Sequence, residues 1–257
     1  MFVVDLKELA IAWLLASARA VPVAWAIPAF GGVSLPAVIR LAMGLGLALL
    51  CLPNAGTPPP IGDTLVWGVL LAREILVGIA LAFVCSCMFR AAESAGQLID
   101  TVRGANLSSF QSPTSHEQQS PLALLMVLLA AVAFFQIGGP GHIGWALRRS
   151  YEAIPLAWGR PMLDAQAAAT AAVTASAKLI ESAIGLSAPI LVAALLADLT
   201  LGLVGRTLSQ VPLASAGAPL KSVVVVAVLL LGLGGMQNGL QGVLRTFLGI
   251  LRTGWMR

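Results

Sequence analysis

Leu65-Val-Trp-Gly-Val-Leu-Leu-Ala-Arg-Glu-Ile-Leu-Val-Gly-Ile-Ala-Leu-Ala-Phe-Val-Cys-Ser-Cys-Met-Phe89 is apolar throughout apart from the adjacent pair Arg73-Glu74. A bilayer core about 30 Å thick needs roughly 20 apolar residues in a helix, so this stretch is long enough to span. The run is continuous rather than alternating, which points to a membrane helix and not to a barrel strand. The reading that follows is an all-α integral membrane protein. Neighbours in sequence diverge by about 100° around a helix, so Arg73 and Glu74 are expected to serve different partners.

Directly after this span comes the longest polar interval of the chain, Glu93 to Pro121. Its first part places Ala91, Ala95, Leu98, Ile99 and Val102 at helical spacing, with Glu93, Ser94, Gln97, Asp100 and Thr101 opposite, the pattern of an amphipathic helix. Its second part, Gly104 to Pro121, has turn chemistry and two prolines, so the helix is expected to break there. A solvated inter-helix loop is the plainer reading of this part, and a segment packed on something else is the functional one.

Composition agrees with the membrane reading. Of 257 residues 58% are hydrophobic and only 10% charged, against about 25% charged in soluble domains. The net charge of +4 fits cytoplasmic Lys and Arg beside a membrane better than nucleic-acid binding. Cys51, Cys85 and Cys87 all sit in apolar surroundings and read as small buried residues.

The remaining chain divides into further apolar segments. The N-terminal stretch resembles a signal peptide, yet it carries Asp5 and Glu8 and stays hydrophobic beyond Arg19, so it reads as an uncleaved first membrane helix. Leu9 to Ile27 contains Arg19 and Pro22, implying a kinked helix whose guanidinium needs a protein partner. Val38 to Leu52 is a short second helix, ended by a proline-rich linker. Leu122 to Ile137 is a fourth apolar segment, closing at Gly138-Gly-Pro-Gly141. A mixed, charged region follows, then a long helix from Ala167 to Gly205 with Pro189 as a kink, a polar turn from Arg206 to Pro219, and a last span from Leu220 to Leu240. About six bent apolar helices in hairpins result. They suggest a four-helix N-terminal module, residues 1–147, and a linker with a C-terminal helical hairpin, residues 148–257. Lys and Arg divide seven against five between the two sides, a weak orientation signal.

Catalytic chemistry is thin. The sequence holds no HExxH, no Gly-x-Ser-x-Gly, no phosphate-cradling loop and no cysteine cluster, so no catalytic, metal or cofactor-binding residues are assigned. His116 and His142 read as ordinary loop residues. The ionisable residues at membrane depth are Arg19, Arg73, Glu74, Lys178, Glu181 and Asp198. They could line an ion path or form salt bridges between helices, and the lack of a repeating ionisable series favours the salt bridges. Gly235 and Gly239 offer a flat helix-packing face. A small-molecule secondary transporter, with kinked helices around a midplane site, is the rival reading.

Several segments, in order, resemble the FliR/SctT family of the bacterial type III protein export apparatus, also called YscT, SpaR and HrcT. They are Arg19-Ala-Val-Pro-Val-Ala-Trp-Ala-Ile-Pro-Ala-Phe-Gly31 with Pro36 and Arg40, Arg73-Glu-Ile-Leu-Val-Gly78, and the polar interval with Gly96, Gly104 and Ser120-Pro121. Further on come Ala188-Pro189 through Asp198, Gly202 to Arg206, and Gly217-Ala-Pro-Leu-Lys221. Ser112 to Ser120 looks less like flagellar members, which tend to show an Asp-Pro there, and Asp198 stands where a neutral polar residue is expected.

The resemblance implies a non-enzymatic subunit of an inner-membrane export gate for unfolded substrate proteins. It implies one copy of this chain joined to several copies of SctR-like and SctS-like subunits. The SctU-like switch protein, the SctV-like export-gate protein and the inner rod are the implied neighbours. The implied pore or closing-surface residues are Gly96, Gly104, Ser108, Ser109, Gln111, Gln118 and Gln119. Those implied in contacts within and between subunits are Arg19, Arg73, Glu74, Glu181, Asp198, Arg206 and Lys221.

Overall fold

The structure, a computed structural model, describes residues 6–30, 36–55, 64–104, 120–156, 165–207 and 213–253. Among these residues every regular element is helical. Seven α-helices follow one another: α1 Leu6–Ala26, α2 Ala37–Ala55, α3 Thr64–Val102, α4 Pro121–Gln136, α5 Gly139–Ala153, α6 Ala165–Thr207 and α7 Leu213–Thr253, with a 3-10 turn Pro28–Phe30 after α1. Four of them, α1, α3, α6 and α7, are long and apolar enough to cross a membrane, and α4 with α5 qualifies as a broken fifth span. The chain is an all-α membrane protein.

Several boundaries differ from those the sequence suggests. The span ending at Phe89 and the amphipathic segment from Ala91 are one unbroken helix, α3, of 39 residues. No Gly-Pro or turn cluster separates them, and Arg90, Glu93 and Ser94 all have acceptable helical propensity. The polar turn assigned to Arg206–Pro219 is already helical from Leu213, with Pro219 inside α7. Pro219 is the seventh residue of α7, past the four N–H groups that have no partner, so the helix forgoes one i→i−4 hydrogen bond there. His142 lies in α5 rather than a loop.

The chain folds as two compact units: Met1–Phe89, Phe134–Lys178 and Leu244–Arg257 form the first, Arg90–Ala133 and Leu179–Val243 the second. In the first, α1 packs along α2, and α2 against α5. Its core holds Leu15, Val23, Ile27, Val77, Ile143, Leu147 and Tyr151. Phe134 is edge-on to Phe30 and Phe89, at ring-centroid distances of 6.2 and 5.4 Å, a geometry that suits the aromatic quadrupole. In the second unit Ala95, Ile99, Met126 and Ala130 are buried, as are Leu186, Ile190, Val225 and Met236. Cys51, Cys85 and Cys87 are all buried and none is in a disulfide, as their surroundings suggest.

Candidate functional site

Three helices of the first unit meet at Arg19, which is fully buried despite its charge. Its position follows from Gly78, one turn beyond Glu74 on α3. A Cβ at residue 78 would lie 2.6 Å from the carbonyl oxygen of Arg19 and 2.9 Å from its Cα. Only a residue without a side chain lets the α1 backbone lie this close to α3, and that approach brings the Arg19 guanidinium onto Glu74.

Each oxygen of the buried Glu74 carboxylate serves one arginine. Oε2 accepts from Arg19 Nε at 2.7 Å, with Arg19 Nη2 at 2.6 Å. Oε1 accepts from Arg73 Nε at 3.2 Å and Arg73 Nη2 at 2.9 Å. The two adjacent residues therefore do not serve separate partners only. The Arg73 side chain is long enough to fold back onto its neighbour.

Both guanidiniums also reach the C-terminal end of α5, Arg19 at its cap residue Ile154 and Arg73 at Pro155 just beyond it. Arg19 Nη1 donates to Ser150 Oγ at 3.2 Å and Nη2 to the Ile154 carbonyl at 2.9 Å. Arg73 Nη2 donates to the Pro155 carbonyl at 2.9 Å. The last carbonyls of a helix lack intrahelical partners and carry partial negative charge, so cations there satisfy both needs. Tyr151 completes the knot: its ring lies 4.2 Å from the Arg19 guanidinium carbon, and its hydroxyl donates to the Ala16 carbonyl at 2.7 Å. One carboxylate, two arginines, a helix end and an aromatic face thus lock α1, α3 and α5 together.

The second unit has its own buried charge, Asp100. It belongs to the polar face expected of the amphipathic segment, yet it is fully buried, while Leu98 on the expected apolar face is 37% exposed. Asp100 Oδ2 accepts from the Leu122 amide at 2.9 Å and from the Ser120 hydroxyl, and Oδ1 pairs with Arg103 Nη2 at 2.7 Å. Ser120 Oγ in turn accepts from the Ala123 amide at 3.2 Å. Ser120 is thus the N-cap of α4, with Pro121 at its first position and Asp100 satisfying a further orphan amide. Neither Asp100 nor Arg103 stood out as a candidate. The Ser-Pro start of α4, which requires acceptors close by, was the available signal.

The other sequence candidates fall as follows. A Cβ on Gly96 would lie 2.4 Å from the Ala123 Cα, so this glycine sets the α3–α4 approach. Gly104, at φ +79°, ends α3 in the left-handed conformation, its amide donating to the Thr101 carbonyl. Ser108, Ser109, Gln111, Gln118 and Gln119 lie outside the described residues, as does His116. Asp198 on α6 pairs with Lys221 on α7 at 2.5 Å. Glu181 is on an exposed face of α6, and Arg206 is in the last turn of that helix. Gly235 and Gly239 line a cavity of about 300 Å³ together with Leu186, Pro189 and Met236. Leu186 Cδ2 lies 3.2 Å from where a Gly239 Cβ would be.

Long apolar helices, tied by buried ion pairs and glycine crossings, define an integral membrane protein. Residues 10–247 match the family described as bacterial export proteins, family 1, and the chain belongs to that family, the FliR/SctT proteins of the type III export apparatus. The secretion system apparatus protein SsaT of Salmonella typhimurium is 32% identical over 171 residues, 66% of this chain and 65% of SsaT. The Yop proteins translocation protein T of Yersinia pestis is 31% identical over 195 residues, 76% of this chain and 74% of that protein. The flagellar biosynthetic protein FliR of Bacillus subtilis is 26% identical over 195 residues, 76% of this chain and 75% of FliR. The match to SsaT therefore spans just under two thirds of its length. The family consists of structural export apparatus proteins rather than enzymes.

Proposed function

We propose that this chain is a structural subunit of the inner-membrane export gate of a type III secretion system, helping to form the channel for unfolded substrate proteins. The family match over residues 10–247 carries the reading. Relatives with injectisome and flagellar names both occur, so the injectisome branch rests on the sequence from Ser112 to Ser120, which lacks the flagellar Asp-Pro. One copy of the chain joins SctR-like and SctS-like subunits beside the SctU-like switch protein, the SctV-like gate protein and the inner rod. Residues 1–147 act as an SctR-like module and 148–257 as an SctS-like one.

In this reading the buried knot of Arg19, Glu74 and Arg73 holds the shape that partner subunits meet. Glu181, Asp198, Arg206 and Lys221 lie in subunit contacts. Gly96, Gly104, Ser108, Ser109, Gln111, Gln118 and Gln119 border the passage. The test is affinity purification of the tagged full chain from its native membrane. Two smaller membrane proteins are expected with it in unequal copy number. Glu74→Ala is expected to abolish both that recovery and secretion. A stable chain purified alone from a secreting cell overturns the reading.

A further inference from the structure

We propose that the outward face of α5, with the last turns of α7, binds the phosphate headgroups of anionic phospholipids. This surface is independent of the buried knot and of the gate reading. α5 buries Ile143, Ala146, Leu147, Ser150 and Tyr151 on one side. On the other, His142, Trp145, Arg149 and Glu152 share an arc of about 80° at 100° per residue, while Arg148 at its edge reaches the buried Cys51 of α2. Trp145, Arg148, Arg149 and Glu152 are all exposed.

α7 adds a cation to this face. The Arg252 guanidinium stacks over the Trp145 ring at 5.3 Å, with Nη2 3.4 Å from His142 Nδ1. Arg245 is exposed and lies two turns earlier on the same side of α7. Against these arginines the arc offers Glu152, already paired with Arg149 at 2.6 Å. A positive excess therefore remains.

Chemistry selects the occupant. An indole beside arginines is the side-chain set of a membrane–water boundary, where the ring lies among headgroups and the guanidinium forks bind phosphate bidentately. The protein already occupies a bilayer, so lipid phosphate is the anion present at highest local concentration, and each nearby arginine adds to its capture.

The test uses the full chain in nanodiscs containing either brominated phosphatidylglycerol or brominated phosphatidylcholine. The reading is the fluorescence quenching lost in Trp145→Phe, which isolates this indole. Brominated phosphatidylglycerol is expected to quench Trp145 several-fold more effectively. Arg149→Gln and Arg252→Gln should each reduce that preference roughly two- to five-fold. Arg252→Lys, which keeps the charge but loses the planar fork and its stack on Trp145, should retain only part of it and separates the electrostatic share of the glutamine loss from the bidentate one. Added salt should weaken the preference. Equal quenching by the two lipids overturns the proposal, as does a preference unchanged in the Arg149→Gln/Arg252→Gln double variant. Capture of an acidic protein segment by this face with no lipid preference overturns it as well.

Discussion

Replacing Glu74 by glutamine removes the carboxylate that holds two guanidiniums, one of them Arg19, whose side chain is 0% exposed. The knot goes from a net charge of +1 to +2, counting Arg19, Arg73 and Glu74. Breaking a buried pair from one side costs about 3–5 kcal/mol, which is roughly a 150- to 5000-fold fall in the folded-to-unfolded ratio. Arg19→Met should cost less. It leaves the Arg73–Glu74 pair intact at 2.9 Å, and methionine refills much of the space. The double variant leaves one cation, Arg73, still donating to the Pro155 carbonyl, so it should be no less stable than Glu74→Gln alone. The coupling energy between the two sites should reach about 2 kcal/mol, within the range seen for contacting residues. Equilibrium unfolding of the full chain in mixed detergent micelles, followed by helicity, measures all four states. Additive effects, or a Glu74→Gln loss under about 1 kcal/mol, would refute the argument that this charge is uncompensated without its partner.

Three further outcomes are checked by the same unfolding measurement. Asp100→Ala should cost about 1–3 kcal/mol, because it strips an acceptor from the buried Leu122 amide and the partner from Arg103. Gly78→Ala should be strongly destabilising, since the Arg19 backbone stands 2.6 Å from the new Cβ, whereas Gly239→Ala meets only the flexible end of Leu186 at 3.2 Å and should stay close to wild type. Equal effects at the two glycines would rule out the crossing argument. Tyr151→Phe keeps the ring against Arg19 and loses one hydrogen bond to Ala16, so a loss of about 1 kcal/mol is expected.

The sequence makes the helical membrane class plain, because apolar runs of span length admit no other economical solution. It also shows that Arg19, Arg73 and Glu74 need partners. It does not show that they share them. Arg19 and Glu74 are 55 residues apart and Arg19 and Ser150 131 apart, and only Gly78, a single small residue, marks the crossing. The face of α3 around Asp100 misleads periodicity, since a carboxylate that caps another helix is buried like an apolar side chain. α5 is obscured by its composition: Arg148, Arg149 and Glu152 conceal one buried stripe, which a helical wheel of the mixed region brings out.

The uninterrupted course of α3 has a geometric consequence. Thirty-nine residues at 1.5 Å each make a rod of roughly 58 Å. Hydrocarbon is about 30 Å deep, and even a rod leaning at 40° needs only about 39 Å to traverse it. About 20 Å or more must therefore project past the oily slab at any tilt up to 40°. The α6 and α7 rods, at 43 and 41 residues, are longer still. Both carry exposed leucines and valines along their length, Val192, Leu195, Leu203, Val223 and Leu231 among them, so they call for apolar surroundings over more of their length than one straight crossing supplies.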